Sequence, residues 1–320
     1  METRSFRDLR LSVLMLGTVQ FGLPYGIANR TGQPSYEEVR DILAAAYEGG
    51  VNCLDTAAVY GTSEQVLGRA LGELGIADRM TVATKVTQMA NEGVSSADAD
   101  EIVEESVTRS LRNLRLDCLP ICLFHLESNF LLYADSLRRM KAKGLVRHIG
   151  SSVNFPEPAG RILGSGAAEA VQMPSSVLDQ RFFRLGIRDL AAASGVALFA
   201  RSIYLQGLLL MREEEILPEL AGVIPVRRAL ESLAREEGIG LAELAVRYML
   251  SADGITSLVV GVDTAQQLRE NLKAFSRGPL APGLCARVDQ AVPDLPESIL
   301  FPGNWSRKIP PVKPVSRAGG

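Results

Sequence analysis

VNCLDTAAVYGTSEQVLGRALGELGIADRMTVATK, residues 51–85, reads as one strand–helix–strand unit. Val51–Asp55 is an apolar run that ends on an acid, and Thr81–Lys85 is a second that ends on an amine. Neither run alternates apolar with polar along its length. That is the pattern of parallel strands covered on both faces. Between them, Glu64–Leu74 carries helical spacing, and Thr62 with Gln65 fits a capping box at its start. Tyr60 lies five residues after Asp55, in the connecting loop.

The same unit recurs outward in both directions. Further strand candidates are Val13–Thr18, Leu119–His125, Val146–Ser151, Ala168–Gln172, Ala197–Ser202 and Ser257–Gly261. Helical stretches are Tyr36–Tyr47, Glu101–Leu114, Phe130–Ala142, Val226–Arg235, Leu241–Leu250 and Ala265–Phe275. Ser35 with Glu38 and Thr264 with Gln267 fit capping boxes, and Gly49–Gly50 and Gly144 fit helix ends. Eight strand–helix units over roughly 260 residues predict an α/β fold, a (β/α)8 TIM barrel. A doubly wound sheet would more often open with a glycine-rich first turn, and neither GxGxxG nor a P-loop follows the first strand. The expected organisation is one domain over residues 1–320, with a Pro- and Gly-rich tail from about residue 276 that runs irregularly over the barrel and a mobile VSRAGG end.

Bulk properties narrow the function. With 320 residues and a net charge of −3, nothing in the charge balance calls for nucleic acid or an anionic membrane. No apolar run reaches about 18 residues, so no transmembrane span is expected. The four cysteines (Cys53, Cys118, Cys122, Cys285) lack paired metal spacing, and Cys118 and Cys122 sit in an apolar run as small hydrophobes. Without a signal peptide, the expected compartment is the cytoplasm. The two histidines, His125 and His148, are not in ligand spacing, and no metal is expected. His148 is read as structural or surface.

In a (β/α)8 barrel the C-terminal strand ends converge on one mouth. Asp55, Lys85 and His125 end the second, third and fourth strands, and Tyr60 follows the second. Singly each has an ordinary reading: a cap, a rim lysine, a packing phenol. Jointly they form an acid, an amine, an imidazole and a phenol around one point. Asp55 is expected to hold Lys85 charged, and the Lys85 ammonium to lower the pKa of Tyr60. A phenol closer to neutrality is a better acid toward a carbonyl oxygen, with His125 orienting that oxygen.

These motifs resemble the aldo-keto reductase superfamily, of the bacterial type associated with sugar and polysaccharide genes. The resemblance rests on GGVNCLDTAAVYGTSEQVLGRAL, ATKV, SLRNLRLDCLPICLFH, KGLVRHIGSS, AVQMPSSVLDQR, LQGLLL and GVDTAQQLRENL, in the family's order from about Leu16 to Phe275. It implies a nicotinamide cofactor bound without a Rossmann motif, a small carbonyl substrate, and Asp55, Tyr60, Lys85 and His125 as the catalytic tetrad with Tyr60 the proton donor. It also implies cofactor contacts from Gly17 and Thr18, from Ser152 and Gln172 to the carboxamide, from Ser202, Gln206, Gly207 and Leu208 over the pyrophosphate, and from Gly261, Asp263, Gln267 and Asn271 around the adenosine.

Four positions depart from the family pattern. Val153 stands at the carboxamide-binding Asn, with Asn154 one residue later, and Arg201 replaces the Tyr that stacks on the nicotinamide. Its guanidinium can stack on a ring, or face an anionic substrate or the pyrophosphate. Asp263 and Gln267 occupy positions where basic residues clamp a 2′-phosphate, so NAD(P)H binding with NADH tolerated or preferred is expected. For the pocket, Phe21, Tyr25, Glu127, Arg201, Tyr204 and the single tryptophan, Trp305, are candidates, and they suit a sugar-like carbonyl compound. Trp305 is equally suited to packing the tail. The alternative reading is a cofactor-binding regulatory barrel with little turnover.

Overall fold

Alternation along the strands organises the molecule. A computed structural model describes residues 1–90 and 93–306. Strands β1 (Thr3–Phe6) and β2 (Leu9–Ser12) form an antiparallel hairpin. Eight parallel strands then close a barrel: β3 (Leu14–Gly17), β4 (Cys53–Asp55), β5 (Thr81–Lys85), β6 (Leu119–Phe124), β7 (Val146–Ser152), β8 (Ala170–Pro174), β9 (Ala197–Arg201) and β10 (Ser257–Gly261), with β10 returning to β3. The barrel interior is filled by Met15, Cys53, Ala83, Ile121, Leu123, Ala170, Ala197, Phe199 and Val259, and Phe6 and Leu11 of the hairpin join this cluster. The hairpin therefore plugs the N-terminal end, which leaves the other end as the mouth.

Helices α1 (Tyr36–Glu48), α2 (Ser63–Leu74), α3 (Ser96–Leu114), α4 (Glu127–Ala142), α5 (Pro156–Gly164), α6 (Arg181–Arg184), α7 (Ile187–Ser194), α8 (Ile224–Glu236), α9 (Leu241–Leu250) and α10 (Ala265–Ser276) follow the strands, and α11 (Pro282–Ala291) and α12 (Glu297–Leu300) end the described chain. Their apolar faces pack on the outward residues of the strands, such as Leu14, Leu16, Leu54 and Val82, in a second and larger cluster. Strands apolar throughout are thus explained: each residue meets either the interior or the helical sheath.

The predicted barrel is present, and the differences lie at its margins. The tail is not irregular: it folds into α11 and α12 and is pinned by Trp305, which is 1% exposed and donates its indole N–H to the Ile299 carbonyl at 3.1 Å. The terminal VSRAGG lies outside the described residues. The N-terminal hairpin and helices α5 to α7, elements of four to nine residues, are additional to those predicted. At the capping boxes, Ser35 and Glu38 satisfy each other as read. Thr62 makes no side-chain cap, because the backbone from Tyr60 to Ser63 already turns through its own hydrogen bond. The Thr264 hydroxyl accepts from the Gln267 backbone N–H, but the Gln267 side-chain Oε1 accepts from the Asp263 backbone N–H at 2.7 Å instead of from that of Thr264. His148 is buried against Phe6, between Asp8 and Glu169, so its role is structural. Among the described residues all four cysteines are free, no cluster of His, Cys, Asp and Glu suits a metal, and no helix is long and apolar enough to cross a membrane.

Candidate active site

The period of two that fills the barrel also builds the site. Cys53 points inward, so Asp55 does too; Lys85 follows Ala83, Gln172 follows Ala170, and Arg201 follows Phe199. His125 continues the series Ile121, Leu123 one step past the end of β6. Each polar group is therefore the inward position next above the apolar layer. Tyr60 arrives from the β4–α2 loop, where two glycines permit close approach of the β3–α1 loop. A methyl group on Gly22 would lie 1.9 Å from the Tyr60 carbonyl oxygen, and one on Gly61 (φ +55°) would lie 2.3 Å from the Gly22 carbonyl oxygen.

Charge and hydrogen bonds converge on Asp55. Its carboxylate accepts from Lys85 Nζ at 2.6 Å and from Gln172 Nε2 at 2.7 Å, and Lys85 also donates to the Thr56 carbonyl at 3.0 Å. Lys85 Nζ stands 5.1 Å from the Tyr60 ring centre, and the Tyr60 and His125 rings meet edge to face at 5.7 Å. Burial pulls the Lys85 ammonium below its ordinary pKa, with the Asp55 charge opposing. Burial and then the cations Lys85 and Arg201 push His125 well below the usual imidazole value, so it is neutral near pH 7. The expected lowering of Tyr60 is not met: burial first, and Asp55 second, raise its phenol, with Arg201 opposing. The energetic reason is desolvation of a phenolate in a closed site, which outweighs a cation already paired to a carboxylate. The site thus holds a protonated phenol beside a neutral imidazole and a buried ion pair.

Beside these groups a cleft of about 630 Å³ opens, within the usual range for a small-molecule site. Asp55 and Tyr60 form part of its wall, with Gly17, Thr18, Arg201, Ser202, Gln206, Gly207, Gly261, Asp263, Gln267 and Asn271 of the predicted cofactor positions. Ser152, the last residue of β7, and Gln172, midway along β8, are register partners, both buried behind the wall, and Leu208 packs in the core. Of the substrate candidates, Tyr25, Arg201 and Tyr204 line the cleft. Phe21 and Trp305 are core residues, and Glu127 pairs with Asn154. Sequence reasoning missed Gln20 and Glu270 in the wall; neither ends an apolar run, so nothing in the pattern marked them.

Two loops cross the cleft. The Ile27 amide donates to the Gln206 carbonyl at 3.2 Å, and Gly207 leaves room for Ala28. Ser202, Leu205 and Gln206 all hold positive φ (64°, 47° and 53°), a cost of about 1 kcal/mol each for residues with a Cβ. The fold keeps that strain where backbone must lie close to the cleft. Three buried polar atoms around the site lack a protein partner: Gln172 Oε1, His125 Nδ1 and Gln20 Oε1. An unpaired buried acceptor costs about 1–3 kcal/mol until a ligand donor meets it. A cleft of this size, with small residues where the two loops cross it, fits a nicotinamide dinucleotide.

A closed parallel barrel with this mouth is the scaffold of a large class of enzymes, and comparison with known proteins narrows it. The model of the aldo/keto reductase family matches residues 13–293. The chain is 24% identical to the L-glyceraldehyde 3-phosphate reductase of Escherichia coli K12, over 89% of this chain and 90% of that protein. It is 24% identical to the NADH-specific methylglyoxal reductase of the same organism, over 84% of this chain and 91% of that protein. The holo form of an aldo-keto reductase from Bacillus halodurans shares the fold, with a TM-score of 0.77 at 24% identity, over 94% of this chain and 99% of that one. The chain belongs to the aldo/keto reductase family. It is an NAD(P)(H)-dependent oxidoreductase that acts on small-molecule carbonyl compounds.

Proposed function

We propose that this chain reduces the carbonyl of a small, sugar-like aldehyde or ketone, with Tyr60 as proton donor and NADH tolerated or preferred. The observation that carries this reading is the protonated Tyr60 phenol, edge to face with a neutral His125 and close to the Lys85–Asp55 pair, in the wall of the cleft. A nicotinamide held in the cleft would supply the hydride. Tyr60 then gives its proton from Oη to the carbonyl oxygen. A neutral His125 donates one N–H to that oxygen without adding charge, and Lys85 stabilises the phenolate left behind. Asp55 holds Lys85 in place through a short hydrogen bond, and Gln172 donates a second one to Asp55.

The cofactor preference is supported by the wall formed from α9, α10 and the preceding loop. It presents Asp263 and Glu270 beside one lysine, Lys273, while Glu243 is already paired with Arg247 and Arg277. The Asp263 carboxyl is half-buried and accepts from Asn29 Nδ2 at 3.2 Å, and burial raises its pKa. A carboxylate there opposes a 2′-phosphate and accepts from a ribose hydroxyl. The test is kinetic. NADH should match or exceed NADPH in kcat/KM, and a tenfold preference for NADPH defeats the preference. Tyr60→Phe should lose most carbonyl reduction while nucleotide binding, followed by the nucleotide's own emission, persists. Full activity in that variant would remove Tyr60 from its role.

A further inference from the structure

Arg201 is a cation at the reactive end of the cleft with no acidic partner among the described residues. It lines the same wall as Asp55, Tyr60 and Tyr25, and its charge acts on Tyr60, His125 and Lys85. Elsewhere the described arginines that approach a carboxylate pair with it, whereas the Arg201 guanidinium is held by neutral oxygens alone. Nη2 donates to the Asn154 side chain at 2.7 Å and to the Val153 carbonyl at 3.0 Å, and Nη1 reaches the Ser202 hydroxyl at 3.4 Å. Asn154 is itself fixed, since its Nδ2 donates to Glu127 Oε2 at 3.2 Å. The departures at positions 153, 154 and 201 are therefore one device. The Asn154 amide oxygen, one residue beyond the expected carboxamide contact, is spent on the guanidinium.

A fixed guanidinium with Nε–H unpaired and its charge uncompensated is suited to a planar, bidentate anion. We propose that Arg201, positioned by Asn154, selects carbonyl substrates that carry a carboxylate or phosphate near the reacting carbon. This rests on the carbonyl-reducing reading and adds a substrate class to it. A positive charge in a partly closed cleft attracts an anionic substrate and orients its carbonyl toward Tyr60 and His125.

The experiment compares matched pairs in which one member carries an anionic group and the other does not. One pair is succinic semialdehyde and its methyl ester; the other is glyceraldehyde 3-phosphate and glyceraldehyde. The readout is the ratio of kcat/KM for the charged over the neutral member, which cancels any effect common to both, including changes in cofactor handling. The wild-type ratio should exceed about ten in one pair, which tells carboxylate from phosphate. Arg201→Gln should cut that ratio at least tenfold, about 1.4 kcal/mol, mainly through KM. Arg201→Lys should restore part of it, and Asn154→Ala should lower it in the same direction. A wild-type ratio near one in both pairs overturns the proposal. So does a ratio that survives Arg201→Gln while both members slow equally, because Arg201 would then serve the cofactor alone. Turnover of no carbonyl compound with either nucleotide would overturn this proposal and the function reading together.

Discussion

The buried pair at the centre of the site makes a quantitative prediction. Lys85 and Asp55 side chains are 1% and 6% exposed, and their atoms approach to 2.6 Å. Asp55→Leu removes the charge partner of a buried ammonium that then keeps only the Thr56 carbonyl. Breaking a buried pair from one side costs about 3–5 kcal/mol, because the remaining charge is left uncompensated. Lys85→Met leaves the carboxylate with Gln172 alone and should cost about as much. Replacing both, as Asp55→Leu with Lys85→Met, removes both charges, and such replacements are often close to neutral. What persists is the orphaned Gln172 amide, worth about 1–3 kcal/mol. The single changes thus sum to about 6–10 kcal/mol, whereas the double change should cost about 1–3. Equilibrium guanidinium denaturation, with far-ultraviolet circular dichroism and tyrosine emission as coincident probes, measures all three. A double-variant loss equal to the sum, within about 0.5 kcal/mol, would refute the pairing argument. Activity should be lost in all three, so stability alone separates them.

His125 has a depressed folded-state pKa. The unfolded chain therefore binds a proton below about pH 6.5 that the native state refuses, and stability falls by up to about 1.4 kcal/mol per pH unit on acidification. His125→Asn should flatten that slope between pH 6.5 and 5.5 in denaturation curves; equal slopes in the two proteins would refute the burial argument. Trp305→Ala should cost about 3–5 kcal/mol as a cavity change, read as a drop in the denaturation midpoint, and an unchanged midpoint would show that the tail is not pinned there. Gly22→Ala should reduce kcat by displacing the Tyr60 loop, since the new methyl group has no room beside the Tyr60 carbonyl; kcat at the wild-type level would show that the loops adjust freely.

How much of this was legible before folding can be argued residue by residue. Strands without alternation, broken by helical periods, determined the barrel, because only a sheet covered on both faces makes every strand position apolar. The polar residue closing each run determined Asp55, Lys85 and His125, because inward alternation places the next residue above the apolar layer at the mouth. Only the tertiary structure decided the rest. The direction of the Tyr60 shift depends on burial against charge at a few ångströms, and proximity to Lys85 was readable while desolvation was not. Asn154 bracing Arg201 joins the loop after β7 to the end of β9 across the mouth, a contact between residues 47 apart in the chain that no local pattern announces. Trp305 in the core, Gln20 and Glu270 in the wall, and the strained backbone at Ser202 to Gln206 are of the same kind. Local periodicity encodes which face a residue takes, but partners far apart in sequence and exclusion from water exist only once the barrel has closed.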